Sequence, residues 1–127
     1  MTSLLALLFA AQSPEACEHA QTQLAMNQCA FAEFEQADLG LNAAWRHVLA
    51  YVRASDRDGP FNSDGRPSGE AKLRDAQRAW ITFRDAHCAV HSYEARGGSM
   101  EPQLYESCRA EVTNQRTRQL RSLILGQ

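Results

Sequence analysis

The chain has 127 residues, of which 44% are hydrophobic and 22% are charged, and its formal net charge is −2. These values indicate one soluble globular domain and exclude an intrinsically disordered chain. The 13 Lys and Arg residues form no basic stripe, so the sequence does not indicate nucleic-acid binding.

The first residues are typical of an export signal. An apolar run from Leu4 to Ala11 has the length of a signal core, and small residues follow it. The run is too short to span a membrane as a helix. We therefore expect a signal peptide at residues 1–13, a mature domain at 14–127, and a periplasmic or secreted protein without a membrane span.

A long helix is predicted from residue 22 to about residue 54, with Thr22 as its N-cap. Its inner stripe repeats at steps of three and four, as expected for one face of a bundled helix. Asn27 and Asp38 interrupt this stripe, so each needs a polar partner inside the bundle. The stripe consists of Leu24, Asn27, Phe31, Phe34, Asp38, Leu41, Trp45, Val48 and Val52.

Acidic residues predominate in the first third of the chain. No Lys or Arg precedes Arg46, whereas five acidic residues do: Glu15, Glu18, Glu33, Glu35 and Asp38. Such a segment is either an ordinary solvated helix face or a docking surface for a cationic partner.

Residues 54–69 are predicted to form a long, exposed and flexible loop. Their glycines and prolines exclude a regular element, and Phe61 is their only large apolar residue. A loop of this length inside a compact domain is either functional or disordered.

Two further helices are predicted at about residues 70–96 and 102–125, joined by a tight turn. The expected inner stripe of the second helix is Leu73, Ala76, Trp80, Phe83, His87 and Val90. That of the third helix is Tyr105, Cys108, Val112, Arg116, Leu120 and Leu123. No segment shows strand-like alternation, so the sequence predicts an all-α three-helix bundle whose first helix is the longest.

The four cysteines indicate two disulfides in an oxidising compartment. Cys88 and Cys108 each lie ten residues from position 98, the centre of the turn, so they are level in an antiparallel hairpin and can be bridged. Cys17 and Cys29 remain as the second pair. Twelve residues of continuous helix would hold them ~18 Å apart, so the chain must fold back at Thr22.

Zinc binding is the competing use of the cysteines, because His87 and His91 share a helical face next to Cys88. That ligand set would be irregular, and exported thiols usually oxidise, so we expect no metal and no other cofactor. Catalysis is not indicated either. No Ser or free Cys lies with a base and an orienting residue, and no Gly-rich phosphate loop follows a strand.

A polar network is predicted inside the bundle instead of an active site. If the first and second helices pack antiparallel, Asp38 lies opposite about residue 86 of the second helix. Arg84 is the nearest cation on that helix. We therefore expect a bridge from Asp38 to Arg84, with Asn42 one turn further along and Arg116 as a second cation. Such a network fixes the register of the helices more than it adds net stability.

Six parts of the mature chain carry a family resemblance: Cys17, MNQCA (26–30), ADLGLNAAW (37–45), AQRAWITFRDAHC (76–88), GGSM (97–100), and Cys108 followed by Thr113, Arg116, Thr117 and Leu120. With these residues the chain resembles the LprI-type lysozyme inhibitor family of small exported bacterial proteins. Trp45 stands where the family more often has Tyr. The resemblance implies an envelope or secreted helical domain that binds a lysozyme-like hydrolase.

The leading hypothesis is therefore a binding protein, not an enzyme, that sequesters a lysozyme-type or other cell-wall hydrolase. An acidic surface suits such a strongly cationic partner. The alternatives are a structural or accessory envelope domain and an immunity-type protein against a peptidoglycan-cutting toxin. The sequence leaves the oligomeric state open.

The short turn between the second and third helices is the predicted contact surface. The disulfide beneath it keeps the entropic cost of ordering low, which favours it over the long loop. A plain helix-connecting turn is the alternative. The residues expected to meet or steer the partner are Gly97, Gly98, Ser99 and Met100 in the turn, and Glu33 and Glu35 on the first helix.

Overall fold

The computed structural model describes residues 17–61 and 64–124, and this part of the chain contains three α-helices. They are α1 (Gln23–Asp58), α2 (Gly69–Ser92) and α3 (Glu101–Ser122), with a short 3-10 helix at Tyr93–Ala95. The predicted all-α bundle with a long first helix is confirmed, because α1 has 36 residues and the described part of the chain has no strand. No helix in that part is long and apolar enough to cross a membrane. The expected signal peptide lies outside the described residues.

The start of α1 is as predicted, whereas its end lies further along the chain. The side chain of Thr22 accepts a hydrogen bond from the Ala25 backbone N–H at 3.1 Å and caps the helix. At the other end α1 continues to Asp58, so residues 54–58 are helical and do not belong to the predicted 54–69 loop. The first helix breaker after residue 54 is Gly59, which ends the helix.

The carboxylate of Asp56 ties the end of α1 to the beginning of α2. It accepts hydrogen bonds from the backbone N–H groups of Gly69 at 2.7 Å and Glu70 at 3.0 Å. These are N–H groups of the first helical turn, which have no partner within their own helix. The hydroxyl of Ser68 accepts from a third, that of Ala71. The two ends of the 59–68 connection are therefore held together by hydrogen bonds from the backbone of α2 to the side chain of Asp56 on α1.

Glu70 adds a surface ion pair at the same junction. Its carboxylate accepts hydrogen bonds from Arg53 Nε at 2.7 Å and Arg74 Nε at 3.0 Å. The hydrogen bonds from Arg53 and Arg74 lower the pKa of Glu70 to about 2. Solvent screens such exposed pairs, so their contribution to stability is modest.

The hydrophobic core occupies the half of the bundle near the 59–68 connection. Its buried residues are Leu41, Ala44, Val48, Val52, Leu73, Leu120 and Ile124. Contact between α1 and α3 is the most extensive of the three helix pairs, and contact between α1 and α2 is the least. Small buried side chains along α1 and α3 permit this close approach: Ala30, Ala37, Ala44, Ala110, Thr113 and Thr117.

The inner faces of α2 and α3 differ from the predicted stripes. In α2 the buried residues are Leu73, Arg84, Cys88 and Ser92, whereas Phe83 and Val90 point to solvent. In α3 they are Ala110, Thr113, Thr117 and Leu120, and Leu123 is exposed. Leu73 is buried as predicted. Further along α2, Arg84 and Cys88 replace the predicted Phe83 and His87, a shift of one residue that corresponds to about 100° around the helix. The Cys88–Cys108 bridge fixes this orientation, because Cys88 must point at α3.

Candidate partner-binding site

Hydrogen bonds hold the backbone of the turn between α2 and α3. Gly97 has φ +80°, in the left-handed region that favours glycine. Its N–H donates to Glu101 Oε2 at 2.6 Å, and the N–H of Gly98 donates to the Ala95 carbonyl at 2.8 Å. The side chains of Ser99 and Met100 are left exposed. The predicted turn residues are therefore presented on a fixed backbone.

Side chains at the beginning of α1 also hold the turn 97–100 in place. Asn27 Nδ2 donates to the backbone carbonyl of Ser99 at 2.9 Å. Gln23 Nε2 lies 2.7 Å from Asn27 Oδ1 and 2.8 Å from Gln103 Oε1 on α3. The prediction that Asn27 needs a polar partner is confirmed, and its main partner is the backbone of the turn itself.

Both predicted disulfides are confirmed. Cys88 and Cys108 join α2 to α3 with their Cα atoms 5.5 Å apart. Cys17 and Cys29 join the segment before Thr22 to α1 with their Cα atoms 5.3 Å apart. The two bridges staple the end of the bundle that carries the turn.

Two grooves open at this end on either side of Pro102 and Glu106. One, of about 740 Å³, runs along α1 past Asn27, Phe31 and Glu35. The other, of about 680 Å³, lies between the turn and the end of α2 and is lined by Ala89, Ser92, Tyr93, Gly97, Gly98, Glu101 and Tyr105. Because the same two α3 residues line both grooves, α3 forms a floor that α1 and α2 do not cover. We call the turn 97–100 and these two grooves the open end.

A stacked arginine lies beneath the open end and connects all three helices. The guanidinium of Arg109 is 3.7 Å from the centre of the Phe34 ring and 4.9 Å from that of Tyr105. It also forms an ion pair with Glu106 at 2.8 Å and lies 3.9 Å from Asp85. Such a cation–π contact is strongest where water is excluded, as it is around this largely buried arginine.

A second arginine, Arg84, reaches the same ring from α2. Its guanidinium lies 5.2 Å from the Phe34 ring and 5.0 Å from the Trp80 ring. Its Nε donates to Asp85 at 2.9 Å, and its Nη1 lies 3.5 Å from the hydroxyl of Thr113. Phe34 thus contacts two guanidinium groups, and each of these groups has a carboxylate partner.

The predicted Asp38–Arg84 bridge is wrong. The carboxylate that binds Arg84 is its neighbour Asp85, and Asp38 forms no ion pair with any described residue. Asn42 is exposed, so it does not extend an internal network. Arg116 is also separate: its Nε donates to Gln77 at 2.9 Å, and burial lowers its pKa. Counting residues from the centre of a helical hairpin gives the position of a residue along the helix axis. It does not give the direction in which the side chain points.

Sequence reasoning did not find Glu106 and Arg109. Their spacing of three residues, which places them side by side on a helix, was the available signal. The predicted stripe of α3 passed through Tyr105 and Cys108 and did not include Arg109. The aromatic ring of Phe34, which was predicted to be internal, contacts the guanidinium of Arg109 inside the bundle.

Glu33 and Glu35 lie on different sides of α1. Glu35 lines the groove of the open end beside Asn27 and Phe31. Glu33 lines another groove, between α1 and the middle of α3, together with Glu111 and Arg118. The structure therefore brings Glu35, but not Glu33, to the predicted contact surface.

The charged side chains at and beneath the open end differ in exposure, and Glu106 is as buried as its partner Arg109, at 14%. The side chains of Arg84 and Arg109 are only 9% and 15% exposed, because they stack on rings. The side chain of Asp85 is 43% exposed, and Glu35 also faces solvent. Arg96 is an exception: it is exposed and lies 4.4 Å above the Tyr93 ring. Among the residues that line the open end, Glu35 presents an exposed carboxylate, which complements a cationic surface.

The residues considered for zinc do not form a metal site. Cys88 is bonded to Cys108, so its sulfur is not a thiolate ligand. His87 stacks on Phe83 with the ring centres 5.2 Å apart. Among the described residues no group of three or more His, Cys, Asp or Glu side chains is arranged to hold a metal ion.

Comparisons with known proteins agree with the sequence resemblance. The family model described as "Lysozyme inhibitor LprI" matches residues 14–120. An uncharacterized protein of Rhizobium meliloti (strain 1021) is 43% identical over 116 residues, which cover 90% of this chain and 83% of that protein. No solved structure matches.

Proposed function

Because the chain belongs to the lysozyme inhibitor LprI family, we propose that it is an exported protein that binds a lysozyme-like or other peptidoglycan hydrolase. Binding occurs by protein–protein contact, without catalysis or a cofactor. The contact surface is the open end, centred on the turn Gly97–Met100. The observation that carries this assignment is a turn that is both exposed and held in place by hydrogen bonds from two helices.

A rigid turn binds with little loss of conformational entropy. Ordering a flexible residue costs about 1–2 kcal/mol for its backbone alone. The backbone of the turn is already fixed by Asn27 and Glu101, and Cys88–Cys108 joins the helices on both sides of it. Met100, which is 44% exposed, supplies an apolar contact next to the hydroxyl of Ser99. Little of the interaction free energy is then spent on ordering the surface.

The charge of the first helix favours a cationic partner. No Lys or Arg precedes Arg46, and Glu18, Glu33 and Glu35 are all exposed. Glu35 lies within the open end, and Glu33 adds to the negative field from the far side of α1. Such a field raises the rate of association with a basic enzyme and makes that rate sensitive to salt.

Periplasmic or secreted localisation follows from the same proposal. Both disulfides persist in an oxidising compartment and are rare in the cytosol. Peptidoglycan hydrolases act in that compartment, so the protein and its proposed target meet there.

Titration of the purified protein against several lysozymes and peptidoglycan amidases tests the proposal. The rate of cell-wall lysis reports inhibition, and calorimetry reports binding. Substituting Ser99→Arg together with Met100→Glu should abolish binding, because a bulky cation and a charge then replace the small hydroxyl and the apolar contact. The matched control is Ser122→Arg with Leu123→Glu at the opposite end of the bundle. Leu123 is 45% exposed, much like Met100 at 44%.

The outcomes separate the proposed surface from the proposed function. If no hydrolase is bound or slowed at micromolar protein, the inhibitor assignment is wrong and an accessory envelope role takes its place. If only a toxin-type hydrolase is bound, the protein is of the immunity type. If a deletion within residues 58–66 abolishes binding while the turn variant binds normally, the contact surface is the other loop.

A further inference from the structure

The outer face of α2 carries apolar side chains that the bundle does not cover. Phe83 is 56% exposed and Val90 is 69% exposed, and the ring of His87 stacks on that of Phe83. Neither side chain belongs to the core, which α2 meets through Leu73, Arg84, Cys88 and Ser92. This face lies outside the open end, whose α2 residues are Ala89, Ser92 and Tyr93.

Residues at helical spacing continue this face in both directions, and residues of opposite charge lie at its two ends. Steps of three and four from Phe83 reach Ala79, Ala76 and Lys72 on one side, and His87, Val90 and Glu94 on the other. All seven of these residues are exposed. Within the described part of the chain, neither Lys72 nor Glu94 has an ion-pair partner.

The arrangement is self-complementary about Phe83. Lys72 and Glu94 each lie eleven residues from Phe83, and Ala76 and Val90 each lie seven residues from it. If two copies of α2 are placed antiparallel with their Phe83 residues opposite each other, each Lys72 meets the Glu94 of the other copy. Each Val90 likewise meets an Ala76. A twofold interface has this property, because contact of residue i with residue j implies contact of j with i.

We propose that the outer face of α2 is a homodimer interface, in which two copies of the chain pair their α2 helices antiparallel about a twofold axis at Phe83. The small side chains of Ala76, Ala79 and Ala86 let the helix axes approach closely. Burial of Phe83 and Val90 provides the apolar contribution. The two Lys72–Glu94 pairs set the register and disfavour a parallel arrangement, which would bring like charges together.

A second copy fits this face better than an unrelated partner, because the charges at its two ends complement those of the same face reversed. The 22 steps from Lys72 to Glu94, the last two of which lie in the 3-10 helix that follows α2, span ~33 Å of helix. One helix pair of this length buries less than the ~800 Å² per partner of a standard interface. An interface of this size belongs to the weak, reversible class. It leaves both open ends free and does not depend on the proposed hydrolase binding.

Sedimentation velocity over a concentration series tests this interface with reciprocal charge reversals. Lys72→Glu places acidic residues at both ends of the face, and Glu94→Lys places basic residues there. Each single variant turns two attractive pairs into two repulsive ones, which should weaken the dimer about tenfold. The double variant has the charges exchanged and should dimerise like the wild type. An equimolar mixture of the two single variants should form a heterodimer, because each then faces the opposite charge.

The control exchanges a charge pair of α2 that lies off this face. Asp75 and Arg78 form an exposed pair at 3.6 Å, and the variant Asp75→Arg with Arg78→Asp should leave dimerisation unchanged. A wild-type protein that stays monomeric up to about 1 mM overturns the proposal, since an interface of this size is populated well below that concentration. A dimer that the single reversals do not weaken, or that the double variant does not restore, overturns the assigned face and register.

Discussion

Removal of the Cys88–Cys108 disulfide measures how strongly the helical hairpin beneath the turn is constrained. For a bridge that spans 20 residues, the loop-closure model predicts that Cys88→Ala with Cys108→Ala lowers the free energy of unfolding by about 3 kcal/mol. Cys88 is completely buried, so the loss of its sulfur from the interior adds about 1 kcal/mol. We expect a total loss of about 4 kcal/mol. Each kcal/mol that is lost should lower Tm by roughly 4 °C.

The other disulfide provides the control. It spans 12 residues, and the loop-closure model gives a difference of only about 0.5 kcal/mol between the two bridges. Neither Cys17 nor Cys29 is fully buried, so we expect no further packing loss there. The Cys17→Ala, Cys29→Ala variant should therefore lose about 3 kcal/mol, less than the other pair.

Equilibrium urea unfolding, followed by far-UV circular dichroism and tryptophan fluorescence, compares the two variants. Coincident transitions from both probes establish that each variant unfolds in two states. The reasoning is refuted if removal of Cys88–Cys108 costs less than removal of Cys17–Cys29. It is also refuted if the cost is below about 1 kcal/mol, because the bridge would then not restrict the unfolded chain.

Three further predictions concern the middle of α1 and the junction of α1 and α2. Gly69→Ala should destabilise the protein by about 1–3 kcal/mol in thermal unfolding, because a Cβ there would lie 2.8 Å from Phe61 Cδ2. Gly40→Ala, whose Cβ meets nothing within 4 Å in the middle of α1, should instead stabilise by up to about 1 kcal/mol. Glu70 has a folded pKa of about 2, below its ordinary 4.5, so its contribution to stability is present above pH 4.5 and is lost as the pH falls towards 2. In Glu70→Gln the decrease in stability over that pH range should be smaller, as measured by urea unfolding at a series of pH values.

The features predicted from the sequence were those that depend on position along a helix. The Cys88–Cys108 pairing followed from the equal distance of these two cysteines to the turn, which left Cys17 and Cys29 as the other pair. The helices on both sides of that turn are continuous at the two cysteines, as assumed. The cap at Thr22 followed from one residue and its place before an apolar periodicity. The position of a residue along the helix axis depends only on the rise of 1.5 Å per residue, which tertiary packing scarcely changes.

The features that were missed depend on rotation about the helix axis. Arg84 was expected to reach across to Asp38, but its side chain turns to Asp85 and to the rings of Phe34 and Trp80. An arginine has several partners within reach of its long side chain, and the choice among them depends on where aromatic rings lie after packing. That choice involves all three helices, so the pattern of any one segment does not determine it.

The error in α2 has a different origin and leads to the proposed dimer. Phe83, His87 and Val90 do repeat at helical spacing, so the apolar periodicity is real, but the disulfide turns another face of α2 inward. A helix in a three-helix bundle has one face against its neighbours, and α2 uses that face for Arg84 and Cys88. A second apolar stripe on the same helix has no neighbour among the residues that the structure describes. An exposed stripe of this kind points to a contact with another molecule, and the opposite charges at its two ends identify that molecule as a second copy.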